Sequence, residues 1–582
     1  MSWLLNLIPA LSQVLTNGLS TLGTLQQGPL APFLTNNPLP SGYPWGTRTV
    51  YNTNPYEIPP FTGVVRPYTF TISRGNIAPD GVNRSVILVN GAFPGPTIEA
   101  NWGDTIQVTV NNQLTDEGTA LHWHGFLQKK TQYYDGVPAV SQCPIAPGKS
   151  LTYTFQADLY GSSWYHSHYS AQYAAGIFGP MVIHGPTNAL YDIDLGPVML
   201  SDWYHRDYFS LVEQTMTPGP PVKSDNNLIN GKGVFNCSST SLPCTNNAGL
   251  SKFVFTPGKT HRLRLVNSGA EGTQQFSIDG HNLTVIANDF VPVTPYTVQS
   301  VTLGIGQRSD VLVTANTNNA SAAYWMRSTL VCSLTNQPFG LAAVYYNKAN
   351  TSATPTSVAP TIPQQCDNDA LTSTTPFFPF GAQPQPATTQ QFDITFGPNS
   401  TTPPISNLFY MNGVSFRGNY NAPVLLLSNA GNNSYPLDPE WNVYNFGSNS
   451  SMRFVVYNHF PATHPMHLHG HNFFVLNVGN GQWDGSIINA NNPQRRDVQI
   501  LPGQNAQQEP GFIVLQINAD NPGVWPFHCH IAWHVSAGLY VNILERPADI
   551  ARQRFPQTPF QTCKDWAAFT NTTVIDQIDS GL

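Results

Sequence analysis

The amino-acid sequence predicts an all-β protein built from three related β-sandwich domains. Gly (46) and Pro (50) are frequent among the 582 residues, whereas charged residues make up only 10%. Abundant turn formers, combined with many aromatic and β-branched residues, are typical of short strands joined by tight turns, and long helices would need more Lys, Glu and Ala. A chain of this length is expected to form about three to four domains.

A weak internal repeat sets the number of sandwiches at three. An Asn-Gly pair recurs and precedes a strand pair and then a turn that contains His. The three Asn-Gly copies are Val89-Asn90-Gly91, Ile229-Asn230-Gly231 and Met411-Asn412-Gly413. The later turns are His122-Trp123-His124-Gly125, Asp279-Gly280-His281 and His467-Leu468-His469-Gly470. The middle copy therefore lacks the His pair.

The first predicted strands alternate polar and apolar residues, as half-buried strands do. They cover Tyr68 to Ser73, Ser85 to Val89 and Thr105 to Val110. Composition changes near Pro186 to Leu200 and again in the Pro/Thr/Ser/Gln-rich segment Thr351 to Gln390, which we expect to be a surface linker that Cys366 holds in place.

These boundaries divide the chain into five segments. They are an N-terminal extension (1–65), a first sandwich (66–190), a middle sandwich without a metal of its own (191–350), the linker (351–390) and a last sandwich (391–582). The first thirty residues begin apolar, but no Lys or Arg precedes Arg48, so the positive region of a signal peptide is missing. We interpret this stretch as a degenerate leader or a propeptide.

Charge and hydropathy exclude several classes of function. The net charge is −7 with acids and bases interspersed, so neither a basic patch for nucleic acid nor a polybasic membrane anchor is expected. Runs of eighteen apolar residues are absent, which argues against a membrane-spanning helix. A small neutral or cationic substrate fits this composition better.

Cysteines and sequons point to a secreted protein. If Cys529 binds metal, six of the seven cysteines remain, an even set that suits disulfides and allows fifteen pairings. Asn-x-Ser/Thr sequons support the same compartment, although each alone is a weak signal. They begin at Asn83, Asn236, Asn282, Asn319, Asn350, Asn399, Asn432, Asn449 and Asn571.

Eleven of the sixteen His lie in four short stretches. The stretches are His122-x-His124, His166-Ser167-His168, His464-x-x-His467-x-His469-x-His471 and His528-Cys529-His530 with His534. A His-x-His pair on a strand places both rings on one face, so pairs from two domains can form a cage at the interface between them. Cys529 faces away from His528 and His530, which indicates that this stretch contacts two metal sites.

The ligand set favours copper. Eight imidazoles without a carboxylate, together with a thiolate, suit copper, whereas zinc would use about four ligands at one centre and iron commonly takes two His and one carboxylate. A blue copper site needs one Cys thiolate, two His and a weak axial group. Cys529 and His534 supply half of such a site.

These motifs resemble those of the multicopper oxidases, and in particular the laccases of ascomycete fungi. The resemblance extends from about residue 66 over nearly the whole chain. It rests on His122-Trp123-His124-Gly125 followed by Asp135-Gly136 and Gln142-Cys143-Pro144-Ile145, on Trp164-Tyr165-His166-Ser167-His168, and on the stretches beginning at His464 and Gly523. It implies cupredoxin-like Greek-key domains, four copper ions and a monomeric secreted enzyme that couples oxidation of phenols or aromatic amines to reduction of O2 to water, as in lignin degradation.

The resemblance also implies which residue binds which copper ion. The type 1 copper would take His464, Cys529 and His534, and the type 2 copper His122 and His467. One type 3 copper would take His124, His166 and His530, and the other His168, His469 and His528. His471 matches a position that is not a ligand.

Further roles follow from the same resemblance. Leu539 would occupy the axial position of the type 1 site, where its lack of a donor atom should raise the potential. Asp135 would relay protons near the type 2 copper, and Glu271 would accept the phenol proton. The disulfides implied are Cys143 with Cys563, Cys332 with Cys366 and Cys237 with Cys244. The C-terminal Asp579-Ser580-Gly581-Leu582 would plug a channel. Judged from the residues alone, this segment is a frayed tail. Asp135 and Glu271, judged in the same way, are an ordinary turn acid and an ordinary loop acid.

Two alternatives to a laccase stay open. One is a sister oxidase acting on Fe(II), ascorbate or bilirubin; a ferroxidase would need several acids near the type 1 site, and the sequence offers only Glu271. The other is a cupredoxin protein that binds copper without turnover. Complete ligand sets around a thiol argue against the second alternative.

Overall fold

The computed structural model describes residues 20–35, 42–56, 58–317, 319–399, 407–435, 439–573, 575 and 577–582. In this part of the chain the named strands form six sheets, two for each sandwich. The helices described are short: α1 (Tyr208–Thr215), α2 (Val424–Asn429), α3 (Ala532–Ser536), α4 (Pro547–Arg552) and α5 (Gln557–Thr570). The prediction of an all-β protein is therefore confirmed.

The first sandwich packs the sheet β2-β1-β4-β6 with the sheet β3-β8-β7-β5. Its strands are β1 (Val65–Ile77), β2 (Arg84–Val89), β3 (Ile98–Asn101), β4 (Thr105–Asn112), β5 (Leu121–Trp123), β6 (Ser150–Gln156), β7 (Gly161–Ser167) and β8 (Phe178–His184). The three strands predicted from alternation lie within β1, β2 and β4. In β4, Ile106, Val108 and Val110 are fully buried between partly exposed Thr and Gln residues, as the pattern requires.

The middle sandwich has sheets of order β10-β9-β12-β17-β14-β15 and β11-β19-β18-β13-β16. Its strands are β9 (Ile193–Trp203), β10 (Asn226–Ile229), β11 (Ser251–Phe255), β12 (Thr260–Asn267), β13 (Thr273–Ile278), β14 (Leu283–Asn288), β15 (Val291–Val298), β16 (Val301–Leu303), β17 (Arg308–Thr314), β18 (Ala323–Val331) and β19 (Phe339–Tyr346). Because β9 begins at Ile193, the connection from the first sandwich is shorter than the composition change suggests.

The last sandwich has sheets of order β21-β20-β23-β28-β25-β26 and β22-β30-β29-β24-β27. Its strands are β20 (Thr388–Pro398), β21 (Asn407–Met411), β22 (Val443–Asn445), β23 (Ser451–Asn458), β24 (His464–Leu468), β25 (Phe473–Asn480), β26 (Gln494–Arg496), β27 (Val498–Leu501), β28 (Gly511–Asn518), β29 (Gly523–Cys529) and β30 (Tyr540–Glu545). Strands β24 and β29 are buried along their whole length, so this sheet has no solvent face at the point where its histidines lie.

The Asn-Gly repeat is one turn used three times. Asn90, Asn230 and Asn412 have φ of 53°, 50° and 52°, and the Gly that follows each also has positive φ. Two successive residues in this region form the tight turn for which Asn-Gly is the favoured pair. Each Asn side chain also accepts a hydrogen bond from a backbone N–H of a neighbouring strand, at Thr71, Met199 and Asp393. The repeat is thus structural, and it supports the prediction of three related domains.

The hydrophobic core shows which sandwiches are joined most closely. One cluster is continuous from the first sandwich, with Trp102 and Trp164, into the last, with Trp525 and Phe527. The middle sandwich has a separate cluster around Phe276 and Val311. The first and last sandwiches therefore pack against one another through apolar side chains, which holds the histidine strands of both at one interface.

The described part of the N-terminal extension packs on the folded domains. Leu30 N–H donates to the carbonyl of Asp194 in β9 (2.8 Å), and Leu34 N–H donates to the side chain of Asn101 in β3 (2.8 Å). Farther along, Lys129 donates to the carbonyl of Tyr56 (2.9 Å). The predicted leader falls largely on residues 1–19, outside the described residues.

Three disulfides join Cys143 with Cys563, Cys237 with Cys244 and Cys332 with Cys366. The pairing implied by the resemblance is thus confirmed. The third bond attaches the linker to the middle sandwich, as expected for a spacer that is held in place. Among the helices described, none combines the length and apolar character needed to cross a membrane.

Candidate metal centre

The predicted histidine pairs meet where the first and last sandwiches face each other. In the first sandwich His122 on β5 lies directly opposite His166 on β7. In the last, His467 on β24 lies directly opposite His528 on β29. The second His of each pair lies one residue beyond the end of the strand, so the pairs are not wholly within strands. These second residues are His124, His168, His469 and His530.

Ring nitrogens of different segments face one another, both within the last sandwich and across the interface between the first and last sandwiches. The Nε2 atoms of His469 and His528 are 3.1 Å apart, and Nε2 of His530 is 3.3 Å from Nδ1 of His124. Close sets of ligand atoms are His168/His469/His528, His122/His124/His166 and His122/His467/His469. The first set coincides with one predicted type 3 group, and the other two share members across the predicted groups.

Several of these rings are oriented through one nitrogen, which leaves the other without a partner. Nδ1 of His122 and of His467 lie 2.8 Å and 2.7 Å from the backbone carbonyls of Asp135 and Asp497. Their Nε2 atoms, like Nε2 of His166, are buried and have no hydrogen-bond partner among the described residues. Histidines that bind metal are commonly oriented by a hydrogen bond from one ring nitrogen to a carbonyl, which leaves the other nitrogen free to coordinate. These residues therefore fit copper.

Burial keeps the imidazole of His528 and those of six other cage histidines neutral, the form that binds a metal. It lowers the pKa of His528 to about 3, and neighbouring imidazoles lower the pKa values of the others further through like-charge repulsion. The rings with a pKa well below the usual range are His124, His166, His168, His467, His469 and His530. Lone pairs are therefore available at neutral pH.

A second group lies on the outer side of the same strands. Sγ of Cys529 is 3.6 Å from Nδ1 of His464 and 3.6 Å from Nδ1 of His534, and the two Nδ1 atoms are 3.1 Å apart. Cys529 is the one unpaired cysteine of the described chain and is fully buried. Burial raises the pKa of its thiol and lowers that of His534 to about 3. A thiolate in this place needs a cation, and two His with one Cys is the ligand set of a blue copper site.

Strand β29 separates the two groups. His528 packs toward the cage, whereas Cys529 contacts His464 on the other side, as the alternation of side chains predicts. Cys529 N–H donates to the carbonyl of Leu539 (3.2 Å), and Leu539 N–H donates to that of His534 (2.9 Å). The side chain of Leu539 is fully buried in the same core cluster as Cys529.

Asp135 lies beside the cage. Its Oδ2 atom is 2.8 Å from Nδ1 of His469, and its Oδ1 atom is 3.3 Å from Nδ1 of His122.

His471 pairs with Glu545 (3.0 Å), consistent with a residue that binds no metal.

A second acid at the cage, Asp497, was not predicted from the sequence. Its Oδ1 atom is 3.0 Å from Nε2 of His124 and 2.5 Å from Nη1 of Arg308, which the middle sandwich supplies. Both side chains are fully buried. The available signal was the charged run Arg495-Arg496-Asp497 in a chain with few charges, but only the fold reveals that it faces the histidines.

Glu271 lies in the loop between β12 and β13, next to the short helix that carries His534. Ala532 N–H in that helix donates to the carbonyl of Ala270 (2.8 Å). The Oε2 atom of Glu271 is buried without a hydrogen-bond partner among the described residues. Burial, reinforced by the charge of Asp202, raises the pKa of Glu271 well above its usual range.

Aromatic rings border the same end of the molecule. The ring centroid of Phe409 is 4.4 Å from that of His534, which is partly exposed, and 5.4 Å from that of Phe460. Phe460 in turn lies 6.0 Å from His464. Phe409 is buried and Phe460 is partly exposed, so the aromatic surface open to a planar molecule near this group is that of Phe460.

The C-terminal residues lie against the cage. Asp579 accepts hydrogen bonds from Ser170 Oγ (2.7 Å) and Ser536 Oγ (3.0 Å). Leu582 is buried and lines a small cavity with His168 and His528. The tail is thus packed at its end and is not a frayed segment.

The fold and the site together define a copper-dependent redox protein. It has three β-sandwich domains, a group of one Cys and two His, and a neighbouring cage of eight histidines. Comparison with known proteins gives the family. Residues 71–188, 194–349 and 386–549 each match a multicopper oxidase domain. The chain belongs to the multicopper oxidase family, whose members hold copper in such clusters.

Similar proteins include fungal laccases. Over 572 residues the chain is 40% identical to the laccase of Cryphonectria parasitica, covering 92% of this chain and 93% of that protein. It is 38% identical over 558 residues to Laccase-2 of Botryotinia fuckeliana, covering 92% of each. The crystal structure of the laccase from Botrytis aclada superposes with a TM-score of 0.84 at 36% identity, covering 92% of this chain and 98% of that one.

Proposed function

We propose that this protein is a laccase, which oxidises phenols and aromatic amines by one electron and couples this to four-electron reduction of O2 to water. The observation that carries the proposal is the position of Cys529, whose thiol belongs to the outer group while its chain neighbours His528 and His530 belong to the cage. Copper, when bound, supplies the redox chemistry at both groups. The similarity to several laccases supports the same activity.

The protein's own residues divide the remaining work. His534 is the partly exposed member of the outer group, so substrate approaches there, and the buried Phe409 packs against its ring. Glu271 accepts the phenol proton, because its Oε2 atom is buried without a hydrogen-bond partner among the described residues and lies in the adjacent loop. Asp135 relays protons beside His469, at the place where reduction of O2 consumes them.

We assign the ligands as the family resemblance implies. His464, Cys529 and His534 would hold the type 1 copper, with Leu539 as the neighbouring apolar residue, and His122 and His467 would hold the type 2 copper. His124, His166 and His530 would hold one type 3 copper, and His168, His469 and His528 would hold the other. The segments proposed from the sequence, 66–190, 191–350 and 391–582, overlap the three matched family regions, 71–188, 194–349 and 386–549, and the last match ends 33 residues before the proposed segment does.

The proposal extends to the context in which the enzyme acts. Three disulfides and nine sequons favour a secreted, glycosylated protein. The family resemblance implies a monomer, and the interspersed charges argue against nucleic acid or a membrane as a partner. The C-terminal tail acts as a plug beside the cage, since Leu582 borders the cavity next to His168.

A ferroxidase is the weaker alternative. Binding Fe(II) near His534 would call for several available carboxylates. Besides Glu271, the acid described close to this loop is Asp202, and its oxygens already accept three backbone N–H groups. A protein that only stores copper would not need a thiol between two cage ligands.

Oxygen uptake by the purified, copper-loaded protein tests the proposal. A methoxyphenol, ascorbate and Fe(II) are compared at equal concentration, together with the absorption band of a blue thiolate-to-copper bond. The laccase assignment predicts the band and rapid uptake with the methoxyphenol. Rapid uptake with Fe(II) or ascorbate alone would overturn it.

A further inference from the structure

The loop that carries Glu271 is held by one buried carboxylate. Asp202, at the end of β9, accepts hydrogen bonds from three successive backbone N–H groups, those of Ala270 (2.7 Å), Glu271 (2.8 Å) and Gly272 (2.7 Å). Its side chain is 5% exposed. Three charge-assisted bonds from consecutive residues fix the backbone of this loop more strongly than neutral partners would.

The same carboxylate is connected to the helix of the outer copper group. Tyr204 hydroxyl donates to Oδ2 of Asp202 (3.3 Å), and Trp533 Nε1 donates to the Tyr204 oxygen (3.3 Å). Trp533 directly precedes His534 in α3. Together with the bond from Ala532 N–H to Ala270, the loop of the middle sandwich is tied to the last sandwich at two points.

We infer that Asp202 is a positioning residue for phenol oxidation: it fixes the Glu271 loop against the helix that carries His534. The inference rests on the proposed function, because it assigns Asp202 a part in delivering the phenol proton to Glu271. Asp202 itself does not touch substrate. Its effect should therefore appear with donors that lose a proton and not with donors that give an electron alone.

Asp202→Asn is the informative substitution, because it keeps the size of the side chain. An amide has one acceptor oxygen, and in either orientation its NH2 group faces at least one loop N–H. We expect amide exchange in a peptide covering residues 268–273 to accelerate about 10-fold or more in the holoenzyme. The ratio of kcat/KM for a methoxyphenol to that for ferrocyanide, which releases no proton, should fall roughly 10-fold.

The matched control is Asp279→Asn, also in the middle sandwich. Asp279 is also buried, and it accepts hydrogen bonds from Arg327 (2.7 Å) and Ser357 (2.7 Å), away from the loop. It should change neither the exchange of residues 268–273 nor the ratio. Tyr204→Phe removes one hydrogen bond to Asp202. It should therefore accelerate amide exchange and lower the kcat/KM ratio, both by less than Asp202→Asn does. If Asp202→Asn does not fold, Tyr204→Phe tests the inference.

A double variant separates positioning from general damage. In a Glu271→Gln background, Asp202→Asn should lower the ratio no further, since the group it positions is already lost. Unchanged exchange and ratio in the folded single variants, or a further fall in the double variant, would overturn the inference. If the wild-type protein oxidises no phenol, the proposed function itself is wrong, whereas phenol oxidation with an unaffected Asp202→Asn ratio removes only the positioning role.

Discussion

Gly306, in the middle sandwich, lies directly against the cage. It has φ of +83°, and a Cβ atom there would lie 2.8 Å from Cδ2 of His530 and 3.0 Å from Cε1 of His124. Gly306→Ala should therefore displace two ligand rings. We expect less bound copper per protein and an O2 uptake about 10-fold lower or more, because small displacements of reacting groups are costly, while the blue band of the Cys529 group persists.

Gly258→Ala is the control for backbone strain. Gly258 also has positive φ (+74°), but a Cβ atom there would meet nothing within 4 Å. Both variants place an L residue at positive φ and are strained by it. Only in Gly306→Ala does the added Cβ atom also collide with histidine rings. Bound copper and the rate of O2 uptake are measured for both variants. Equal values for Gly306→Ala and Gly258→Ala would contradict the account.

Glu271 should set the acid limb of the pH profile with phenols. Its raised pKa makes it a stronger base once ionised, so kcat/KM should increase as the pH rises through that pKa. Glu271→Gln removes the acceptor and should lower kcat/KM for a methoxyphenol about 100-fold with loss of that limb. Ferrocyanide serves as the proton-free reference; an unaltered phenol profile would show that Glu271 has no such role.

Leu539 should determine how readily the outer copper site accepts an electron. Leu539→Met would bring a thioether donor toward the metal, which favours the oxidised ion and should lower the redox potential. Leu539→Ile keeps an apolar side chain of similar volume and should leave the potential close to that of the wild type. A redox titration in which the Met variant is unchanged or higher would refute the proposed axial role.

At the scale of strands and turns, local rules made most of the fold predictable. Alternation in β4 and the Asn-Gly turns are decided within a few residues, so the sequence alone predicted them. Asp497 and Arg308 could not be found in this way, because they are far apart in sequence and meet through packing of two sandwiches. The Asp202 contacts with residues 270–272 have the same character.

The C-terminal segment offers a test at the same scale. Removing Asp579–Leu582 takes away the carboxylate that joins Ser170 to Ser536 and uncovers the cavity beside His168. We expect lower turnover with O2 and tighter inhibition by azide, while anaerobic reduction of the blue site by phenol stays unchanged. Asp579→Asn keeps the chain and separates loss of the charge from loss of the cover; unchanged kinetics in both variants would rule out the plug.

At the scale of the molecule, function depends on how three sandwiches meet. The first and last share a continuous core and supply four cage histidines each, and the middle one contributes Gly306, Arg308 and the Glu271 loop. The sequence predicted the interface from its His pairs, but it implied no part for the middle sandwich beyond Glu271. Packing between domains leaves no periodic signal in a single sequence, which explains the omission.

The electron balance of the reaction tests the central claim most directly. If Cys529 connects the donor site to the cage as one unit, oxidation of a methoxyphenol must consume O2 at a ratio of four electrons per molecule and release no hydrogen peroxide. Oxygen consumption and one-electron product formation are measured together with a peroxide assay. A ratio of four without peroxide is the result we expect; a ratio of two with peroxide, or phenol oxidation without O2 uptake, would contradict the account.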